Sequence, residues 1–258
     1  MSSHTESSES TVVGSPGTIT WLGHATLLVS TSAGVRVIVD PWIEGNPASP
    51  DGLGDLGPLD VIAVTHGHFD HIGSVVPLAA ATGARVLCVP ELAAYFRSLD
   101  VANVDEMNKG GTITLSGLEF TMVSADHSCG VSLPNGGPNI YGGNPVGFVL
   151  TLPADEGGPI YVSGDTNVFG DMAIIRELYA PEIAFMPIDG YYNMGPREAA
   201  LAVTLLGVRR VAPIHYGTFP ILTGTPAQLR VRLDERASGA EMIALLPGES
   251  LPLRTSAT

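Results

Sequence analysis

The stretch Thr65-His66-Gly67-His68-Phe69-Asp70-His71-Ile72-Gly73, THGHFDHIG, places three histidines and an aspartate within six residues of a chain that has seven histidines in 258 residues. Histidines on a surface loop are often only solvated, so the chemistry of the spacing matters. His66 and His68 stand two apart, and in an extended or turning segment both can point to one side. Asp70 and His71 are adjacent and must diverge. The loop can therefore offer two donors to one ion and two to a neighbouring ion. Gly67 permits a sharp backbone path between the first two histidines. Neutral imidazoles with a carboxylate suit Zn²⁺, Mn²⁺, Fe²⁺ or Ni²⁺.

Outward from this loop, the chain reads as short strands and helices. TITWLG, ATLLVSTS and VRVIVDP are β-branched runs separated by glycine or polar turns. DVIAVT runs directly into His66. IGSVVPLAAATG is helix-like and closed by Gly83, RVLCVP is a strand, and ELAAYFRSLD a helix. GTITLSGLEFTMVSADH predicts a hairpin ending at His127. VGFVLTLP, GPIYVSGD, EIAFMPID, RRVAPIH and MIALLPG predict strands, with DMAIIRELYA, PREAALAVTLLG and TPAQLRVRLDERASG as helices. Strands first and then alternating strands and helices imply a layered α/β protein with helices outside. His66, His127, Asp165 and His215 each follow an apolar strand at its carboxyl end, the edge where open α/β sheets bind ligands. With His68, Asp70 and His71 they make seven donors, enough for two ions with open positions. Spacing does not fix which ion each histidine serves.

Composition limits the function. The formal net charge is -14 with 12 Lys and Arg in total, which excludes the phosphate-neutralising surface of a nucleic-acid binder. No apolar stretch reaches the roughly 18 residues of a membrane helix, so no membrane insertion is expected. The N-terminus MSSHTESSES lacks a basic and an apolar region, so it is not read as a secretory signal. Residues 1–16 read as a disordered tail, His4 included, and 17–258 as one catalytic domain. Two cysteines, Cys88 and Cys129, make no disulfide framework, and a cytoplasmic location is the simpler reading. Cys88 reads as buried packing, and Cys129, two residues after His127, as an ordinary small side chain rather than a ligand.

These motifs carry a resemblance. ITWLGHATLLV, VIVDPW, THGHFDHIG, SGDTNVFGDM, MPIDGYYNMGPREAA and PIHYGTFP, spread over roughly residues 18 to 230, are similar to the metallo-β-lactamase superfamily. Within it the chain resembles the small metal-dependent hydrolases related to L-ascorbate-6-phosphate lactonase. The resemblance implies a four-layer αββα sandwich with the site at one edge of two packed sheets. It implies one ion on His66, His68 and His127, a second on Asp70, His71 and His215, and Asp165 bridging them. The implied cofactors are two divalent ions, Zn²⁺ first, with Mn²⁺ or Fe²⁺ compatible. The implied activity is hydrolysis of a small ester or lactone by a metal-bridging hydroxide, with Asp70 and Asp165 as catalytic residues. A phosphodiesterase is the alternative, an iron-dependent oxidoreductase a more distant one. A small-molecule substrate is the expected partner, and a homo-oligomer is compatible with the sequence.

Four further readings depend on placement. His24 is either a hydrogen-bonded core or turn histidine or a group beside the metals; the resemblance favours the latter and makes it a candidate proton donor. Asp40 either starts a turn before Pro41 or orients the metal loop through a histidine or backbone N–H groups. Tyr191, Tyr192, Asn193, Tyr216, Thr218 and Phe219 are candidates to line a pocket, and NGGPNIYGGNP (135–145) reads as a mobile cover or a disordered insertion. Arg197 and Lys109 are the loop cations available to an anionic substrate.

Overall fold

A computed structural model describes residues 17–53, 55–133 and 136–254; the expected tail over 1–16 lies outside the described residues. The first half contains β1 (Thr18–Trp21), β2 (Leu27–Ser30), β3 (Arg36–Val39), β4 (Val61–Ala63), α1 (Phe69–Ile72), α2 (Val75–Thr82), β5 (Arg85–Cys88), α3 (Pro90–Ser98) and β6 (Val104–Glu106). The second contains β7 (Thr112–Leu115), β8 (Leu118–Ser124), β9 (Gly130–Val131), β10 (Ile140–Tyr141), β11 (Val146–Thr151), β12 (Ile160–Val162), α4 (Met172–Tyr179), β13 (Ile183–Pro187), α5 (Pro196–Leu206), β14 (Arg210–Ile214), α6 (Pro226–Glu235), β15 (Glu241–Met242) and β16 (Ser250–Pro252).

Two seven-stranded sheets result, in the orders β16-β1-β2-β3-β4-β5-β6 and β15-β14-β13-β12-β11-β8-β7. Side-chain alternation shows what each face meets. On β12 to β14, Ile160, Val162, Ile183, Phe185, Ala212 and Ile214 join a core shared with Val29, Val37 and Ile62 of the first sheet. Their neighbours Tyr161, Ala184, Met186 and Val211 join a separate core with Met172, Ala199, Val203 and Leu229 of α4, α5 and α6. Helices α2 and α3 pack on β5 at the other side. This is the αββα sandwich. Strands covered on both faces need no polar alternation, which is why β4, β12, β13 and β14 are buried at every residue.

The differences from the sequence reading have local causes. The expected helix after the histidine loop is split, because the Ser74 N–H bonds the Pro41 carbonyl at 2.8 Å instead of continuing the helix. Gly83 closes α2 in the left-handed region as expected. Of MIALLPG only Met242 is strand, at the end of β15 (Glu241–Met242). The chain then turns at Gly248, whose N–H bonds Trp21, and the closing strand is β16, antiparallel to β1. Residues 140–141 of the proposed cover form β10 paired with β9. No helix among the described residues is long and apolar enough to cross a membrane.

Strands β3, β4, β5 and β6 run parallel in one sheet, and β12, β13, β14 and β15 in the other, so their carboxyl ends deliver side chains to one edge. Gly164, between β12 and Asp165, holds the two sheets together there. Its φ is +60°, and a β-carbon on it would lie 2.7 Å from Thr65 Cβ. Gly164→Ala is therefore expected to destabilise the fold by about 2–4 kcal/mol; urea unfolding checks this, and an unchanged midpoint would contradict the close approach.

Candidate metal centre

The carboxyl ends of β3, β4, β8, β12, β13 and β14 carry Asp40, the His66–His71 loop, His127, Asp165, Asp189 and His215 to one place. His66 Nε2 lies 2.9 Å from His68 Nδ1, and His127 Nε2 lies 3.3 Å from the same nitrogen. With Asp165 they form a group whose donor atoms all lie within 4.8 Å of one another. His24, Asp70, His71 and His215 form a second such group. Asp165 stands between them: Oδ1 is 3.3 Å from His71 Nε2, and Oδ2 is 3.2 Å from His215 Nε2 and 3.6 Å from His127 Nε2. All seven expected donors thus converge.

The centre contains atoms that the protein alone does not satisfy. His71 Nε2, His215 Nε2 and Asp165 Oδ1 are buried and make no well-aligned hydrogen bond, although Asp165 lies at ion-pair distance from both histidines. A buried polar group without a good hydrogen bond costs about 1–3 kcal/mol, and all three face the same small volume. Such a donor set fits divalent cations.

Other residues fix the donors in place. Asp40, at 1% exposure, accepts from the Thr65 N–H at 2.8 Å, from the Thr65 hydroxyl at 2.6 Å, and faces His71 Nδ1 at 2.8 Å. It orients the loop through both a histidine and the backbone. A third donor group, Asp40, His66 and His71, is thereby already committed and is no ion site. Asp189 lies 3.1 Å from His215 Nδ1 and accepts from the N–H groups of Tyr191, Tyr192 and Asn193 and from the Asn193 amide. Sequence reasoning missed Asp189, although it ends an apolar strand as Asp165 does. His24 Nε2 is 2.9 Å from Asp70 Oδ2, and its Nδ1 is 2.8 Å from the Thr218 hydroxyl. A carboxylate only accepts, so Nε2 carries the proton and Thr218 donates to Nδ1. His24, Asp40 and His215 all have positive φ (52°, 48° and 57°), strain that the surrounding bonds must hold. The His215 N–H bonds the His24 carbonyl at 2.9 Å, joining two of them.

The remaining candidates separate. Tyr192 and Phe219 line a cavity over the donors. Tyr216 instead stacks on Trp21 and donates to the Leu245 carbonyl, and Tyr191 packs on Tyr192. Asn193 serves Asp189, and Thr218 serves His24. Cys129 belongs to no donor group among the described residues. Its sulfur accepts from the Gly67 N–H and donates to the Gly142 carbonyl, and burial pushes its pKa up to about 11. Cys88 is buried in the core.

Electrostatics in the metal-free protein follow from this packing. Burial lowers His66, and the charge on His71 adds to it. Burial would lower His71 as well, but the Asp165 and Asp40 carboxylates overcome it and raise the pKa to about 10. His215 is likewise raised against burial by Asp165. Two imidazoliums thus stand where cations would, and ion binding must expel their protons. Loading with Zn²⁺ is therefore expected to release protons still at pH 8.5, the His71 share declining only towards pH 10. Unperturbed histidines, at about 6.5, would release almost none there. Calorimetric titration in two buffers of different ionisation enthalpy checks it.

Comparison with known proteins places this geometry. Residues 35–216 match the Beta-lactamase superfamily domain. A UPF0173 metal-dependent hydrolase from Solibacter usitatus is 48% identical over 231 residues, covering 90% of this chain and 97% of that one. One from Koribacter versatilis is 47% identical over 211 residues, covering 82% and 89%. Among solved structures, the metallo hydrolase Igni18 from the archaeon Ignicoccus hospitalis superposes with a TM-score of 0.79 at 29% identity, covering 93% of this chain and 99% of that one.

Proposed function

We propose, for a chain that belongs to the Beta-lactamase superfamily and is a metal-dependent hydrolase, that the centre holds two divalent cations and hydrolyses a small ester or lactone. The observation that carries the two-ion reading is the gathering of the donors into two groups, with Asp165 within 3.6 Å of histidines of both. His66, His68 and His127 hold one ion, Asp70, His71 and His215 the other, and Asp165 serves both. Imidazole and carboxylate donors suit Zn²⁺ first, with Mn²⁺ and Fe²⁺ compatible.

Such a pair supplies Lewis acidity and lowers the pKa of water towards neutrality. The chain's own residues prepare that chemistry. Asp40 sets the His71 ring through Nδ1, Asp189 faces Nδ1 of His215, and each leaves Nε2 directed inward. His24 is a positioning residue: both ring nitrogens are engaged, and its proton holds Asp70 in place. In the metal-free protein, burial and the His215 charge lower its pKa to about 4, so it is neutral there. Asp70 and Asp165 present carboxylates at the cavity floor, where the reacting carbonyl enters.

The test is reconstitution. Chelator-stripped protein loaded with Zn²⁺ should retain two ions per chain by elemental analysis and turn over aryl esters or lactones in preference to bis-p-nitrophenyl phosphate. Preference for the phosphodiester would overturn the substrate class, and one retained ion would overturn the pair.

A further inference from the structure

We propose that the substrate is uncharged and carries an apolar chain or ring away from the scissile bond; this rests on the hydrolase reading above. A cavity of about 650 Å³ opens over the donors. Its lining includes Phe69, Tyr192, Phe219, Ile221 and Leu222, beside the uncharged polar side chains of Ser128, Ser132 and Asn139. Phe69 is 55% exposed, Tyr192 61% and Ile221 41%. Exposed rings gathered on one concave surface mark a place where apolar matter is bound. Trp42, itself buried, stiffens this lining: its ring packs edge-on against Phe69 at 5.5 Å and stacks on Phe219 at 6.0 Å.

The charge pattern excludes the opposite class. All 12 Lys and Arg fall within the described residues, and none lines the cavity. Arg197, one of the two loop cations considered from the sequence, is exposed and paired with Glu198. Lys109 is in the turn before β7. A distal carboxylate or phosphate would lose hydration against the aromatic side chains with no cationic side chain of the lining to offset it. The formal charge of -14 would also slow its approach.

Zn²⁺-loaded enzyme should be assayed by pH-stat with ethyl esters from acetate to octanoate, and with ethyl hexanoate against monoethyl adipate, which differs by a distal carboxylate. The expected result is a rise in kcat/KM of up to about fourfold per methylene, and a preference of at least about tenfold for ethyl hexanoate. Ile221→Lys should shrink or reverse that preference. Equal or better turnover of monoethyl adipate, or rates flat with chain length, would overturn the proposal. Should no ester react, the ester reading fails while the cavity is still read by Trp42 fluorescence titrated with 2-alkanones, with Trp42→Phe as the control. Affinity that rises with chain length and is lost in Ile221→Asp supports the apolar site; affinity independent of length overturns it.

Discussion

Asp165→Asn should lower kcat/KM by about three orders of magnitude or more and cost the centre at least one ion. Asp165 is 3% exposed, and its two oxygens face different partners, Oδ1 towards His71 and Oδ2 towards His215 and His127. An amide of the same shape keeps one oxygen and replaces the other with a donor. It cannot serve both donor groups, and it removes the negative charge that balances the cations. Burial alone would raise the Asp165 pKa, but the His215 and His71 charges hold it well below the carboxylate range. The carboxylate pairing therefore stabilises the metal-free protein at neutral pH; it is lost as pH falls through that depressed value and as pH rises through the raised values of His71 and His215. The variant lacks it throughout, so circular dichroism should accompany the kinetics and metal analysis. Unchanged turnover with two ions bound would remove Asp165 from between them.

Asp40→Ala should destabilise the protein by about 3–5 kcal/mol, the largest stability effect we expect of any single side chain. Its carboxylate takes the Thr65 N–H, the Thr65 hydroxyl and the face of His71. Removing it strands all three in a site without water access, beside a His71 charge that Asp40 helps support. Its φ of 48° adds strain for alanine, whereas asparagine tolerates that region. Asp40→Asn should therefore fold, retaining an acceptor for the Thr65 N–H, and instead lose about 10–100-fold in ion affinity. Urea unfolding of both variants and competition with a chelator separate the two effects. An Asp40→Asn variant with native ion affinity would show that Asp40 serves the fold alone.

Much of this was legible in the chain because buried parallel strands announce themselves. VIAV before Thr65, IYVSG before Asp165 and RVAPI before His215 are apolar runs ending at polar residues, and that edge is where the donors meet. Asp189 follows the same rule after IAFMP, but its place in a loop beside Tyr191, Tyr192 and Asn193 gives no spacing signal that ties it to His215. Their backbone donates to Asp189. β6 is three residues, two of them acidic, at a sheet edge, and β9 and β10 are two residues each, so none carries a period long enough to read. The partition of donors between two groups was outside the reach of spacing, since it depends on loops 66–71, 127, 165 and 215 meeting in three dimensions. So was the absence of cations from the cavity. Arg197 and Lys109 sit in loops as expected, and only the fold shows that those loops do not line it.

Anomalous diffraction from crystals of Zn²⁺-loaded protein, recorded on both sides of the zinc edge, tests the central claim most directly. Two peaks roughly 3.5–4 Å apart, one among His66, His68 and His127 and one among Asp70, His71 and His215, with Asp165 touching both, is the predicted result. A single peak, or an ion pair that leaves Asp165 uncoordinated, would contradict it.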